Sequence, residues 1–233
     1  MSNSQLFCFT YAGGTADFFN DIEKMLNEIN VVKLEYAGHG KRHTEKFYES
    51  FDELADDLFE LFIKMFVGGE YGLFGYSMGS ITLVEVLKRI IKSNMKLPTN
   101  IFLAAHEPQT KSELLGYSSN ELDAWVKDRT IRFGAVPEKL LNNQVFWRTY
   151  LPMYRADYTI IGKYDFEKLN LKTEIPATVF YSETDTKYDD MKKWEKYFPC
   201  EFYQFSGTHF FIQQHNDEMA KIIKTKMEQR HDI

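Results

Sequence analysis

Short apolar runs alternate with longer segments of helical periodicity along most of the chain. The runs read LFCFTYA, VVKLEYAG, YGLFGYS and NIFLAAH in the first half, and ATVFYS and CEFYQF closer to the end. Helical patterns cover residues 15–29, 50–66 and 78–92, and an amphipathic pattern covers residues 211–227. This alternation predicts a single α/β domain over residues 1–233, with a mostly parallel central sheet flanked by helices.

The alternation stops between residues 108 and 165. This segment contains helix-like pieces at residues 120–133 and 137–162 and no convincing strand. Because it falls between NIFLAAH and ATVFYS, it has the position of an insertion between two strands of the sheet. We therefore expect a helical lid insertion over residues 108–165. Its aromatic and methionine side chains either wall a substrate site or hold the lid together: Phe133, Phe146, Trp147, Tyr150, Met153 and Tyr154.

Composition and charge narrow the function classes. The 233 residues carry a net charge of -6, which disfavours a broad nucleic-acid surface because phosphates require clustered Lys and Arg. The two cysteines are too few for a disulfide framework. No stretch has the length and hydrophobicity of a membrane span or the pattern of a secretory signal. We expect a soluble, cytoplasmic monomer with no nucleic-acid or membrane partner.

Ser77 stands between two glycines in the sequence GYSMG, which matches the pattern GxSxG. An apolar run precedes it and a helical pattern follows, the context in which this pattern forms a nucleophile elbow. Gly75 and Gly79 fit such an elbow because the turn brings the chain close to neighbouring elements. The alternative is a serine that only caps the helix beginning at Met78.

A nucleophilic serine also requires two amide donors for the oxyanion. The backbone N–H of Met78, at the start of the following helix, is one candidate. The N–H of Ala12 in TYAGG is the other, because Gly13 and Gly14 let the backbone pass close to the serine. An ordinary turn after the first strand satisfies the same two glycines, so this motif alone leaves both interpretations open.

The serine hydroxyl further needs a base, and the base needs an orienting acid. In an α/β-hydrolase the chain order is Ser, acid, His, with the histidine after the last strand. His209 in SGTHFF directly follows CEFYQF, and Asp185 in SETD follows ATVFYS. Glu107, just past NIFLAAH, is the rival acid. The remaining histidines are less well placed in the chain: His39, His43, His106, His215 and His231.

Further motifs extend the pattern over nearly the whole chain, from residue 6 to about residue 227. They are TYAGG, YAGHGKR, GYSMGS, FGAVPEKLL, YRADY, SETD and GTHFF. With these motifs the chain resembles the type II thioesterases, stand-alone α/β-hydrolases that serve nonribosomal peptide and polyketide synthases. By this resemblance the family's catalytic groups fall on Ser77, Asp185 and His209, with oxyanion amides at Ala12 and Met78.

Four positions depart from the family pattern. Thr10 stands where proline is frequent, and Ser182 replaces the glycine usually found three residues before the acid. Tyr76 stands where histidine is common, and Ser80 replaces a frequent glycine. We expect Tyr76 and Ser80 to alter the lining of the pocket more than the chemistry, whereas Ser182 leaves the placement of the acid loop open.

The resemblance implies a thioester hydrolase that works by Ser–His–Asp chemistry. Its substrate is an acyl group on the phosphopantetheine arm of a carrier protein, and its task is the removal of aberrant or misprimed groups. The implied partners are acyl or peptidyl carrier domains of a synthetase. No metal or bound cofactor is expected, since the arm belongs to the substrate. A carboxylesterase for small free esters and a non-catalytic module that binds acyl carriers are the alternatives.

Overall fold

A parallel sheet of six strands forms the centre of the molecule. The computed structural model describes residues 4–108, 116–134 and 136–229. The strands lie in the order β2-β1-β3-β4-β5-β6, and every pairing between neighbours is parallel. Their bounds are Gln5–Phe9 (β1), Asn30–Leu34 (β2), Tyr71–Tyr76 (β3), Asn100–Ala104 (β4), Ala177–Tyr181 (β5) and Cys200–Gln204 (β6). The mostly parallel sheet expected from the sequence is confirmed.

Helices connect the strands and cover both faces of the sheet. The described helices are Asn20–Met25 (α1), Phe51–Met65 (α2), Met78–Lys92 (α3), Ser119–Arg132 (α4), Gln144–Lys163 (α5), Tyr188–Met191 (α6) and Ile212–Glu228 (α7). The first is shorter than the pattern over residues 15–29 predicted, because a 3-10 turn, Ala16–Phe19, precedes it. None of the helices in the described ranges combines the length and the hydrophobicity that crossing a membrane requires.

Apolar side chains form a separate core on each side of the sheet. Phe62 of α2 and Leu87 of α3 belong to one core, together with Leu73 of β3. Phe19 of the 3-10 turn and Ile223 of α7 belong to the other core, together with strand side chains that point to the opposite face, such as Phe74 of β3. Burial on both faces explains why the strands are continuous apolar runs and not alternating ones.

The carboxyl ends of the strands are level with one another. Phe9 of β1 pairs with Gly75 of β3, Gly75 with Leu103 of β4, and Leu103 with Val179 of β5. Loops that leave neighbouring strands therefore start at the same edge of the sheet. In open parallel sheets this edge is where ligands bind.

Two helices, α4 and α5, stand between β4 and β5 in the chain. They pack together around Val126 and Trp147, and Arg155 of α5 holds Asp123 of α4 in an ion pair at 2.5 Å. The side-chain hydroxyl of Ser118 and the carboxylate of Glu121 form a capping box that starts α4. These helices occupy the segment where the sequence predicts a lid; residues 109–115 and 135 of that segment lie outside the described residues.

Candidate active site

Ser77 occupies the sharp turn between β3 and α3. Its backbone has φ 55° and ψ -120°, a combination that residues other than glycine rarely adopt. Its N–H donates to the carbonyl of Ala104 at 2.7 Å, which ties the turn to the end of β4. Its side chain makes no capping hydrogen bond to α3, so the helix-cap interpretation of this serine is wrong. The turn has the strand–turn–helix form of a nucleophile elbow.

The two glycines of the elbow are required by space. A Cβ on Gly75 would lie 2.3 Å from the carbonyl oxygen of Gly79. A Cβ on Gly79 would lie 2.0 Å from the carbonyl oxygen of Phe9 in β1. Both contacts are to backbone atoms, which cannot swing aside as the end of a side chain can. The two glycines of GxSxG are therefore needed because α3 lies so close to the sheet.

His209 lies between Ser77 and Asp185. Its Nε2 is 3.0 Å from the Ser77 hydroxyl oxygen, and its Nδ1 is 2.9 Å from both carboxylate oxygens of Asp185. The side chains of His209 and Asp185 are 7% and 5% exposed, so water competes little for these contacts. With the proton on Nδ1 donated to Asp185, the lone pair of Nε2 faces the serine hydroxyl. This is the arrangement in which an imidazole can take a proton from serine.

The loops that carry the acid and the base are tied to the sheet and to each other. The hydroxyl of Tyr76 donates to the backbone carbonyl of His209 at 2.6 Å. The hydroxyl of Ser182 donates to the carbonyl of Gly207 at 2.5 Å, and the hydroxyl of Thr184 donates to the same oxygen. The sequence did not decide how Ser182 affects the placement of the loop that carries Asp185. In the structure Ser182 joins this loop to the loop that carries His209.

The expectation that Tyr76 and Ser80 line the pocket is wrong for the described part of the cavity. Both side chains are fully buried below it. The hydroxyl of Ser80 donates to the carbonyl of Gly75 at 3.0 Å and so braces the elbow from inside. Burial raises the pKa of the Tyr76 phenol well above its ordinary value, so it is present as a neutral donor. In the sequence, the only indication of these roles is that Tyr76 and Ser80 carry hydroxyl groups where histidine and glycine are common in the family.

Ala12 and Met78, which the sequence predicts to supply the oxyanion amides, both lie close to Ser77. Met78 is the first residue of α3, and the first N–H groups of a helix have no acceptor within the helix. Ala12 lies in a turn closed by a hydrogen bond of 2.9 Å from Gly14 N–H to the carbonyl of Tyr11, with Gly13 at φ +75°. Ala12 and Ser77 line the same cavity. The sequence of the turn and the start of the helix therefore bring two amides to the serine.

The described residues around Ser77 enclose a cavity of about 10 Å³. That volume is about enough for one water molecule. Phe133, at the end of α4, stacks on the ring of His209 with the centroids 4.1 Å apart and the planes 10° apart. Besides Ser77 and Phe133, the described residues that line the cavity are Tyr11, Ala12, Thr130, Tyr154, Tyr158, His209 and Phe210. Side chains of α4 and α5 therefore help to close the site.

The rival acid and the remaining histidines make contacts other than those of Asp185 and His209. Glu107 accepts a hydrogen bond from Thr186 at 3.4 Å, whereas both oxygens of Asp185 face His209. Burial lowers the pKa of His106, which favours its neutral form. Of the other histidines, His39 contacts Asp157, His43 contacts the carbonyl of Gly40, His215 contacts Ser206, and His231 lies outside the described residues. Among the described residues, no group of His, Cys, Asp and Glu has the arrangement of a metal site.

A model of the thioesterase domain matches residues 4–227. The chain belongs to the thioesterase domain family. Among relatives of this thioesterase, the medium-chain S-acyl fatty acid synthase thioesterase of Rattus norvegicus is 27% identical over 92% of this chain and 83% of its own. Gramicidin S biosynthesis protein GrsT of Aneurinibacillus migulanus is 25% identical over 94% of this chain and 87% of its own.

Solved structures agree with this assignment. The type II thioesterase BorB from the borrelidin biosynthetic cluster superposes with a TM-score of 0.82 at 26% identity, covering 97% of this chain and 93% of its own. ClbQ from the colibactin NRPS/PKS pathway gives a TM-score of 0.85 at 23% identity, covering 97% and 98%, and at that identity the likeness concerns the fold alone. The predicted α/β-hydrolase fold and the resemblance of this thioesterase to type II thioesterases are confirmed.

The anchor from Tyr76 to the His209 carbonyl leads to a prediction. Tyr76→Phe should lower the free energy of unfolding by about 1–3 kcal/mol, because a buried carbonyl loses its donor. Tyr71→Phe is the matched control, since the Tyr71 hydroxyl donates to the Lys96 carbonyl at 2.5 Å at the other end of β3. Urea denaturation should show a loss in both variants. Only Tyr76→Phe should also lower kcat for thioester hydrolysis, and equal kcat values in the two variants would contradict this role.

Proposed function

We propose that this protein is a type II thioesterase that hydrolyses acyl thioesters carried on the phosphopantetheine arm of carrier proteins. The observation that supports the proposal most is the continuous chain of hydrogen-bond distances from Ser77 through His209 to Asp185. The catalytic roles of these residues are part of the proposal. Ser77 is the nucleophile, His209 the base and Asp185 the group that orients the imidazole.

In the first half of the reaction the Ser77 hydroxyl oxygen attacks the thioester carbonyl. As the bond between oxygen and carbon forms, the hydroxyl proton passes to Nε2 of His209, which lies 3.0 Å away. The carbonyl π electrons move to its oxygen, and the N–H groups of Ala12 and Met78 stabilise that oxyanion. Asp185 stabilises the imidazolium through Nδ1 and keeps its own negative charge.

In the second half the tetrahedral intermediate collapses and the C–S bond breaks. The sulfur takes the electron pair and receives the proton that Nε2 of His209 took from Ser77, so the arm leaves as a thiol and the imidazole is neutral again. Because a free thiol has a pKa of ~8.5, the C–S bond needs little help from this acid to break. Water then attacks the acyl-serine, its proton passes to Nε2 of His209, and the imidazolium returns a proton to the Ser77 oxygen as the acid is released. This chemistry requires neither a metal ion nor a bound cofactor.

The names of relatives support the proposed substrate class. Relatives of this chain carry names from gramicidin S biosynthesis and from the borrelidin cluster, and they support a role beside a peptide or polyketide synthetase. We propose acyl and peptidyl carrier domains as the partners and removal of misprimed short acyl groups as the task.

The helices α4 and α5 act as a lid in this proposal. The ring of Phe133 covers one face of His209, and Tyr154 of α5 borders the same cavity. A phosphopantetheine arm reaches the serine only when these side chains move away from it. The small core that centres on Val126 and Trp147 lets α4 and the first half of α5 move together, whereas Ile160 in the second half of α5 packs in the core of the sheet.

Loss of the serine tests the function. Ser77→Ala should lower release of a short acyl group from an acyl carrier protein by about 10⁴-fold or more, measured by intact-mass spectrometry of the carrier. A serine-directed fluorophosphonate should label the unaltered protein at Ser77. If simple carboxylic esters are cleaved far faster than acyl carriers, the protein is a carboxylesterase. If the probe does not label the folded protein, it is a non-catalytic binding module.

The two candidate acids can be separated by matched substitutions. Asp185→Asn should lower kcat by about 10³- to 10⁴-fold, because the amide favours the wrong tautomer of His209. Glu107→Gln removes the same charge near the end of β4 and should leave kcat within about 3-fold, since a carboxylate away from the base does not orient it. Steady-state kinetics on a short acyl thioester decide between them, and the reverse order of the two effects would make Glu107 the acid.

The lid can be tested by hydrogen–deuterium exchange. Amides of α4 and of the first half of α5 should exchange faster than those of α3, because segments that move away from the sheet open at a lower free energy than the core does. Covalent capture of Ser77 by a short acyl phosphonate should change exchange in α4 and α5 and leave α2 unchanged. Exchange in α4 and α5 as slow as in α3 would contradict the lid.

A further inference from the structure

A second histidine–carboxylate pair lies beside the oxyanion loop, residues 10–14, and takes no part in the reaction described above. Nε2 of His39, in the loop after β2, is 3.0 Å from Oδ2 of Asp157 in α5. The two residues are 1% and 2% exposed. They belong to the motifs YAGHGKR and YRADY, whose chemistry the proposed function leaves unassigned.

The carboxylate of this pair also holds the oxyanion loop. Oδ2 of Asp157 accepts a hydrogen bond of 2.7 Å from the backbone N–H of Gly13. Gly13 directly follows Ala12, whose N–H is the proposed oxyanion donor. The Gly13 N–H belongs to the peptide that directly follows Ala12, so this hydrogen bond holds the backbone next to the proposed donor.

Two further contacts hold the oxyanion loop, one from the loop after β2 and one from α5. The Tyr36 hydroxyl, from the loop that carries His39, donates to the carbonyl of Thr10 at 2.8 Å. Tyr154 lies one helical turn before Asp157 on α5, and its ring packs on Gly13 so closely that an added Cβ would lie 1.9 Å from it. Since residues three apart share a helix face, α5 touches the loop through both side chains.

The surroundings of His39 require its protonated form. Nδ1 lies 2.9 Å from the carbonyl oxygen of Ala37, and Nε2 faces Oδ2 of Asp157, so both ring nitrogens face acceptors. A neutral imidazole donates only one hydrogen bond, whereas the imidazolium donates both. Burial lowers the pKa of His39, but the charge and the hydrogen bond of Asp157 raise it by more, and Glu35 adds to the increase. The rings of Tyr36 and Phe47 pack edge-on against the imidazole.

We propose that His39 and Asp157 are positioning residues for the oxyanion hole. The imidazolium fixes the carboxylate of Asp157, and the carboxylate fixes the Gly13 amide and thereby the direction of the Ala12 N–H. Burying two charges adds little net stability even with good geometry. The main consequence of the pair is therefore the placement of the loop. This inference rests on the proposed function, because it assigns the pair a role in the same reaction.

Substitutions of Asp157 should affect kcat more than KM. Asp157→Ala removes the acceptor of the Gly13 N–H, and kcat for a short acyl thioester of N-acetylcysteamine should fall about 10- to 100-fold, part of the loss expected from deleting an oxyanion donor. Asp157→Asn keeps an oxygen that can accept the hydrogen bond from the Gly13 N–H, so this variant should retain most of the kcat of the unaltered protein. A trifluoromethyl ketone analogue, which forms an oxyanion on Ser77, should lose affinity in parallel with kcat.

Two controls separate positioning from general damage. Asp123→Asn breaks the ion pair between α4 and α5 and removes one lid charge away from the loop, so kcat should stay within about 2-fold. His39→Gln should lower kcat in the unaltered background and have little further effect in Asp157→Ala, because His39 acts only through the carboxylate. If Asp157→Ala does not fold, His39→Gln and Asp157→Asn decide the question.

The charge of His39 gives an independent readout. Because its pKa is raised, its contribution to stability is complete below the ordinary value of ~6.5 and is lost as pH rises through the raised pKa. An NMR titration of the imidazole should find the pKa of His39 above the ordinary value of ~6.5, and Asp157→Asn should lower it. A purely structural aspartate would change stability without moving kcat and inhibitor affinity together.

The outcomes separate this inference from the function on which it rests. If Ser77→Ala keeps its activity, the proposed function fails. If Ser77→Ala is inactive while Asp157→Ala and His39→Gln keep kcat within about 2-fold, the function stands and the positioning role is overturned. Additive losses from His39→Gln and Asp157→Ala would also overturn it, because they would show that the two residues act separately.

Discussion

The close contact between the start of α3 and the end of β1 constrains the rest of the site. A side chain at Gly79 would overlap the carbonyl of Phe9, with 2.0 Å between the atoms. This contact allows no space for a wider turn, so Ser77 takes the strained conformation with φ 55°. The chain of β1 continues directly into the oxyanion loop. The contact that strains the serine therefore also brings Ala12 to the cavity that Ser77 lines, next to the start of α3.

Asp185 and His209 reach Ser77 because the strands end level. Asp185 follows β5 and His209 follows β6, and parallel pairing brings both loops to the edge where Ser77 stands. Loops alone place side chains poorly, and here each is fastened to a neighbour: the His209 carbonyl to Tyr76 and the Gly207 carbonyl to Ser182. Preorganised donors and acceptors of this kind need little rearrangement during the reaction.

Local patterns made the strands, the elbow and His209 predictable from the sequence. GxSxG and the position after the last strand are properties of short segments, and apolar runs identify buried parallel strands wherever they occur. The choice between Asp185 and Glu107 stayed open because both carboxylates follow a strand at the same edge, and only the loop conformation decides which one faces the imidazole. The first helix came out shorter than its pattern because its amino-terminal residues form a 3-10 turn, Ala16–Phe19. His39 and Asp157 are 118 residues apart, so no local pattern joins them.

The two histidine–carboxylate pairs differ in what their second nitrogen faces. In His209, Nδ1 donates to Asp185 and Nε2 faces a hydroxyl that can lose its proton. In His39, both nitrogens face acceptors, the Ala37 carbonyl and the Asp157 carboxylate. In the proposed mechanism the first ring exchanges protons with a reacting group, whereas the ring of His39 does not line the cavity around Ser77. In the roles proposed for them, the same two residue types thus transfer protons in one pair and hold the backbone in the other.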